Sequence, residues 1–328
     1  MTEHSKIDRT HARPASLFER ADAAFGLDPR SGPKVPPVAP ALPPAPERAI
    51  PRQPAPTRQP EAPIASRISA DASAAPAPQP VAFCGPFARI DRDQLRDGGL
   101  IVPEDPVTGL LEEFRIVKRE LLADARAGGV AHDGALARRI LVCSPHPGEG
   151  KTYCATNLAI ALAAERGIEV LLVDADMVKP SVTDRLGIEA ELGLMDALAD
   201  SAVLPEELVI ATDIEGLFVL PAGTASRRDA EYLASARTAE VLDRLTEGAP
   251  DRIVIFDTPP ALAASPAAEL AQHVGQALLV VRADQTSRPA LEDAQQLLSA
   301  CGNIKLLLNA ARYSPSGRRF GSYGTRGK

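Results

Sequence analysis

The chain of 328 residues carries a formal net charge of −7 at pH 7, and 45% of its residues are hydrophobic. This acidic balance argues against nucleic acid as a partner, because neutralising phosphates requires a basic surface. The four cysteines lack the close spacing of a zinc or redox site. The sequence shows neither a signal peptide nor an apolar run of the roughly 18 residues that a membrane helix needs. We therefore expect a cytoplasmic protein.

The first 100 residues divide into a polar segment, residues 1–30, and a linker. In the first segment Leu17 and Phe25 lie near helical spacing with other apolar residues, which favours a short helix. Residues 31–80 hold 15 of the 31 prolines, mixed with Ala, Gln and Arg. Such a composition buries too little apolar surface to offset the entropy of ordering. We therefore predict a Pro/Ala-rich linker over residues 31–100.

A single folded domain is predicted over residues 101–312. It opens with a helix over 109–125, in which Leu110, Phe114 and Leu121 belong to one apolar stripe. The pattern then alternates between strands and helices: a strand over 139–144, a helix over 152–166, a strand over 169–175, and later strands near Leu217, Ile253, Ala277 and Lys305. These strands are continuously apolar, so the sequence predicts an α/β fold with a mainly parallel sheet and helices on both faces.

A phosphate-binding loop joins the first of these strands to its helix, and it reads Pro145-His146-Pro147-Gly148-Glu149-Gly150-Lys151-Thr152. Small residues let backbone N–H groups turn toward a phosphate, and the helix start adds the positive end of its dipole. Lys151 can reach the β- and γ-phosphates, and Thr152 can ligate Mg²⁺. Pro145 stands where the full pattern has Gly. We interpret the segment from Pro147 to Thr152 as the binding site for ATP and Mg²⁺.

Two later strands each end in carboxylates. The segment 171–176 ends in Asp174 and Asp176, and the segment 253–260 contains Asp257. Open α/β sheets bind their ligands at the carboxyl ends of the strands. A buried Asp rarely lacks a cationic partner, and Mg²⁺ is the obvious partner beside a phosphate loop. Asp174 and Asp257 are therefore predicted to serve the metal together with the loop threonine.

The motifs resemble those of a known family. Besides the loop and the two acidic strand ends, the resemblance rests on Glu112–Arg119, Leu220–Gly223 and Glu231–Ser235. Together they resemble the bacterial tyrosine kinases of exopolysaccharide loci, and most closely the tyrosine autokinases of loci associated with exosortase and PEP-CTERM proteins. The resemblance covers residues 100–312. It implies a deviant P-loop fold, a homo-oligomer that phosphorylates itself in trans, and recruitment to the inner face of the membrane by a polysaccharide chain-length determinant protein.

The resemblance also implies roles for individual side chains. The catalytic group would comprise Lys151, Asp174, Asp176 and Asp257. Asp174 would aid Mg²⁺ binding or accept the tyrosine proton, Asp176 would support the same cluster, and Asp257 would hold a metal-bound water. Asn309, which follows the last strand, occupies a place where relatives of this fold contact adenine.

Two further sets of residues follow from the resemblance. Glu112, Arg115 and Lys118 match the spacing of the family's self-association motif, with Lys in place of its last Arg. Tyr313 and Tyr323 are the predicted phosphoacceptors, and they lie in a basic segment, residues 313–328, that we expect to be a flexible tail. The tails of the wider family are richer in tyrosine.

Two alternative functions fit the same motifs. A positioning ATPase of the ParA/MinD type would use hydrolysis to switch between monomer and dimer, but such proteins carry a signature Lys near the loop start, where this chain has His146. A nucleotide-bound scaffold would regulate polysaccharide chain length without phosphorylating a protein, and the small number of tail tyrosines favours this alternative. We expect the tyrosine kinase, and a phosphotyrosine assay separates it from the scaffold.

Overall fold

The computed structural model describes residues 79–127 and 132–311. The predicted N-terminal helix, residues 31–78 of the predicted linker and both tail tyrosines lie outside these ranges. In chain order the elements are β1 (Phe87–Ala88), α1 (Arg92–Asp97), α2 (Gly109–Ala127), α3 (His132–Ala137), β2 (Arg139–Cys143), α4 (Lys151–Ala163), β3 (Glu169–Asp174), α5 (Val182–Leu186), α6 (Leu194–Ala199), α7 (Pro205–Leu208), β4 (Ile210–Thr212), β5 (Leu217–Leu220), α8 (Asp229–Leu233), α9 (Ala236–Thr246), β6 (Arg252–Asp257), α10 (Pro266–Ala271), β7 (Gln276–Arg282), α11 (Arg288–Leu297) and β8 (Ile304–Asn309).

The strands form one sheet in the order β1-β4-β5-β3-β6-β2-β7-β8. Every neighbouring pair is parallel except β4 and β5, which run antiparallel. The predicted mainly parallel sheet is confirmed. The order also places β6 between β2 and β3, so the strand that ends in Asp257 lies beside both the strand of the phosphate loop and the strand that ends in Asp174.

Both faces of the sheet are buried, which explains the continuously apolar strands. Leu171 and Leu172 are adjacent in β3, and each is fully buried in a different hydrophobic cluster. In β6, Ile255 and Phe256 likewise lie in different clusters, as expected because successive side chains of a strand point to opposite faces. Residues of α2 and α4 cover one face, and residues of α9, α10 and α11 cover the other.

The folded part begins earlier than the sequence predicts. The sequence predicts a linker that includes residues 79–100, yet β1 pairs with β4 and Leu95 of α1 is fully buried. The Asp91 carboxylate caps α1 by accepting bonds from two backbone N–H groups of its first turn. A strand of two residues and a helix of six are marginal alone, so their stability comes from tertiary contacts that composition does not reveal.

Candidate active site

The phosphate loop connects β2 to α4 in a conformation that requires glycine. Gly148 and Gly150 have φ angles of +81° and +102°, in the left-handed region. At Gly150 there is also no space for a side chain, because a Cβ atom would lie 2.1 Å from Nδ2 of Asn309. The loop then enters α4 at Lys151. A phosphate at this position would therefore meet the first backbone N–H groups of a helix.

The ammonium group of Lys151 lies among the predicted carboxylates. Its Nζ is 2.5 Å from Oδ2 of Asp176 and 3.8 Å from Oδ1 of Asp257. β3 and β6 pair in a register that sets Asp174 directly opposite Asp257. The structure thus brings together all four residues of the predicted catalytic group. Lys151 pairs with two of the three buried carboxylates, and Asp174 beside Asp257 adds a third, so carboxylates outnumber the cation.

The two carboxylates that face each other across the strands differ in their partners. Asp174 accepts hydrogen bonds from the backbone N–H groups of Asp176, Ser181 and Val182, at 2.9 to 3.1 Å. Burial raises the pKa of Asp174, and these three bonds oppose the increase. Both carboxylate oxygens of Asp257 are buried and have no hydrogen-bond partner in the described ranges. Burial raises the pKa of Asp257 to about 7, although the Lys151 ammonium opposes the shift.

The orphaned carboxylate of Asp257 is the observation that fits a divalent cation. A buried polar group without a partner costs free energy, and a metal ion or its bound water would supply the missing interaction. Thr152 is buried at the start of α4, with Oγ1 at 3.4 Å from Oγ of Ser181. Within the described ranges, no three His, Cys, Asp or Glu side chains converge as a metal site. Mg²⁺ would therefore depend on Thr152, on one or two of the carboxylates, on phosphate oxygens and on water, which is its usual coordination beside a nucleotide.

Two side chains far along the chain from the phosphate loop hold it in place. The buried carboxylate of Glu149 accepts a bond from the backbone N–H of His146 at 2.8 Å, and another from the hydroxyl of Thr286. Arg282 donates to the backbone oxygen of Gly148 at 2.9 Å. Arg282 is the last residue of β7, and Thr286 lies in the connection from β7 to α11. No motif marks them, since a single Arg and a single Thr about 130 residues away from the loop carry no spacing signal.

Asn309, the predicted adenine contact, lies against the phosphate loop at the end of β8. Its Nδ2 donates to the backbone oxygen of Glu149 at 2.8 Å. The structure therefore gives Asn309 a contact with the loop itself, and the role toward adenine remains a prediction.

The three residues of the predicted self-association motif have different surroundings. Lys118 is buried, donates to the backbone oxygen of Ala161 at 2.7 Å, and forms an ion pair with Glu165. Glu112 and Arg115 are partly exposed and pair with each other along α2. Lys118 thus bonds within the chain, which leaves Glu112 and Arg115 as the accessible members of the motif.

Fold and site together define the chain as a P-loop nucleotide-binding protein of the α/β class. A family model described as an AAA domain matches residues 137–311, more than half of the chain. The chain is 32% identical over 191 residues to the tyrosine-protein kinase YwqD of Bacillus subtilis, which covers 58% of this chain and 78% of YwqD. The chain belongs to the bacterial tyrosine kinase family.

Two further comparisons give another relative and a solved structure with the same fold. The chain is 32% identical over 227 residues to the EpsB protein of Ralstonia solanacearum, but these residues are 69% of this chain and only 28% of EpsB. The kinase domain of the Escherichia coli tyrosine kinase ETK shares the fold with a TM-score of 0.53 and 23% identity, over 70% of this chain and 93% of that domain. No helix in the described ranges is long and apolar enough to cross a bilayer.

Proposed function

We propose that this chain is an ATP-dependent protein tyrosine kinase that phosphorylates neighbouring copies of itself. The observation that carries the proposal is the arrangement of Lys151, Asp174, Asp176 and Asp257 at the ends of β3 and β6, beside the phosphate loop. The relatives named as tyrosine-protein kinases support it. Phosphoryl transfer depends mainly on positioning and charge neutralisation, and this site supplies groups for both.

The residues of the site would have different roles in phosphoryl transfer. The loop N–H groups and Lys151 would hold the β- and γ-phosphates. To bind the phosphate oxygens, Lys151 would give up part of its contact with Asp176. Mg²⁺, when bound, would neutralise charge on the transferred phosphate, and Thr152 and Asp257 would hold it. Asp174 would accept the tyrosine proton, because its three backbone bonds hold the carboxylate in one orientation.

The biological role that we propose follows from the family resemblance. The kinase would act in the cytoplasm at the inner face of the membrane, where a polysaccharide chain-length determinant protein would recruit it, and it would regulate exopolysaccharide synthesis or export. Tyr313 and Tyr323 would be the acceptors, and Glu112 with Arg115 would contact the neighbouring subunit.

Incubation of the purified chain with labelled ATP and Mg²⁺ tests the proposal. We expect phosphotyrosine in the wild type and none in Asp257→Asn, with the fold intact by circular dichroism. ATP turnover without phosphotyrosine would instead support a positioning ATPase. Nucleotide binding with neither turnover nor phosphotyrosine would support the scaffold.

A further inference from the structure

A groove outside the nucleotide site opens at the same end of the sheet. β4 runs antiparallel to β5, with Ile210 opposite Val219, so the residues before Ile210 lie beyond the carboxyl end of β5. β1 is parallel to β4, which places Pro86 at that end as well. Between these strands and the segment that follows α5, a groove of about 400 Å³ remains open. It therefore lies beside the candidate active site and not on the opposite end of the sheet.

The groove has an apolar floor and an acidic rim. Leu192, Leu208 and Ile210 line it, and Leu192 is 54% exposed. The rim carries three exposed glutamates, Glu189, Glu191 and Glu207, none of which forms an ion pair with another described residue.

The nearby cation does not neutralise this rim. Arg244 lies within electrostatic range of Glu207, but its guanidinium is bonded to the buried carboxylate of Glu206. An occupant of the groove should therefore combine an apolar side chain with adjacent positive charges.

The carboxyl-terminal segment of this chain has that chemistry. Arg318, Arg319 and Phe320 are consecutive, and no Asp or Glu follows Asp293 in the sequence. We propose that residues 318–320 of a second copy of this chain dock in the groove. Phe320 would pack on the leucines, and the two arginines would meet the glutamate rim.

Distances favour a second copy over the chain's own tail. β8, from which the tail continues, lies six strand positions from β4, which is about 29 Å at the usual spacing of about 4.8 Å. The nine residue-to-residue steps from Ala311 to Phe320 span at most about 32 Å. Docking within one chain would therefore stretch this segment almost fully across the nucleotide site. The tail of a neighbouring subunit carries no such constraint.

Docking would also select the acceptor tyrosine, an extension that rests on the proposed function. β4 lies two strand positions from β3, about 10 Å, and β3 ends in Asp174. In an extended chain, Tyr323 lies three residue steps from Phe320, also about 10 Å, whereas Tyr313 lies seven steps from it, about 23 Å. Tyr323 would reach the catalytic carboxylate while the groove is occupied, and Tyr313 would overshoot it.

Photo-cross-linking in the full chain tests the docking without any need for turnover. Phe320 is replaced by p-benzoylphenylalanine, and this chain is mixed with an isotope-labelled copy that lacks the photoprobe. After irradiation, mass spectrometry identifies the cross-linked peptides. We expect cross-links to residues 189–192 or 207–210 of the labelled copy. The triple variant Glu189→Gln, Glu191→Gln, Glu207→Gln of the labelled copy should lower the yield at least about threefold, because exposed ion pairs are individually weak but three are lost together.

A matched control separates the groove from general electrostatics. Glu120, Glu215 and Glu247 are exposed glutamates away from the groove, and changing all three to Gln should leave the cross-link yield unchanged. Cross-links mainly within one copy, cross-links outside the groove, or equal losses in the two triple variants would each overturn the proposal. Cross-links at the groove without any phosphotyrosine would support the docking while refuting the kinase. Phosphorylation of Tyr313 in preference to Tyr323 would refute the proposed selection of the acceptor.

Discussion

The buried carboxylate of Asp257 should make the nucleotide-free protein less stable as pH rises. Its pKa is about 7 in the folded protein and 3.8 in the absence of the fold, so the folded state binds the proton more tightly. The stability linked to this proton is fully present below about pH 4 and is lost as pH rises toward about 7. Relative to low pH, ionisation of Asp257 should lower the free energy of unfolding by about 4 kcal/mol above pH 7, and by about 1.5 kcal/mol at pH 5.

Asp257→Asn removes this titration while keeping the shape of the side chain. We expect the variant to have a larger free energy of unfolding than the wild type in the absence of metal and nucleotide. This stability gap should widen by about 2.5 kcal/mol between pH 5 and pH 8. Urea unfolding in EDTA, followed by circular dichroism at both pH values, measures the gap. The same variant should lose turnover.

The change of the gap with pH is the informative quantity, because the direct effects of exchanging a carboxyl for an amide cancel between the two pH values. Asp293→Asn changes an exposed aspartate of α11 and should show no widening. A gap in Asp257→Asn that stays constant from pH 5 to pH 8 would refute the claim that this buried carboxylate ionises at the expense of stability.

Four further predictions follow from contacts of the site and of α2. Lys151→Met should abolish ATP binding in calorimetry, because the loop loses the cation that reaches the phosphates. Thr286→Val removes the hydroxyl that bonds Glu149 and should weaken nucleotide affinity about tenfold, since a bond to a charged group contributes about 1.5–3 kcal/mol. Lys118→Met should lower the free energy of unfolding by about 1–3 kcal/mol, because it leaves the backbone oxygen of Ala161 without its donor. Arg115→Ala should cost less than about 0.5 kcal/mol but shift gel filtration toward a smaller species.

Contrary outcomes would refute the predictions for Lys151, Thr286 and Arg115. Retained calorimetric affinity in Lys151→Met would rule out the assignment of the phosphate loop. Thr286→Ser keeps the hydroxyl and should bind as the wild type does, so equal weakening in the Val and Ser variants would show that the hydroxyl is not the cause. An unchanged elution volume in Arg115→Ala, under conditions where the wild type is oligomeric, would show that α2 serves only the core.

Local sequence patterns determined most elements of the fold and the composition of the loop. The stripe of α2 and the continuously apolar strands were readable because burial on one face of a helix, or on both faces of a sheet, imposes a period on adjacent residues. The glycines of the loop and the carboxylates at two strand ends were also readable, since short motifs record a local backbone requirement. These features led to the P-loop class and to the family.

Only the tertiary structure decided which residues meet across the sheet. The insertion of β6 between β2 and β3 sets Asp174 opposite Asp257, and no local pattern specifies strand order. The same holds for Thr286 and Glu149, which lie 137 residues apart. Lys118 matched an interface motif by spacing, yet its aliphatic stem is buried and its ammonium bonds inside the fold. Such long-range contacts arise from the packing of whole elements against one another, which residue spacing along the chain does not record.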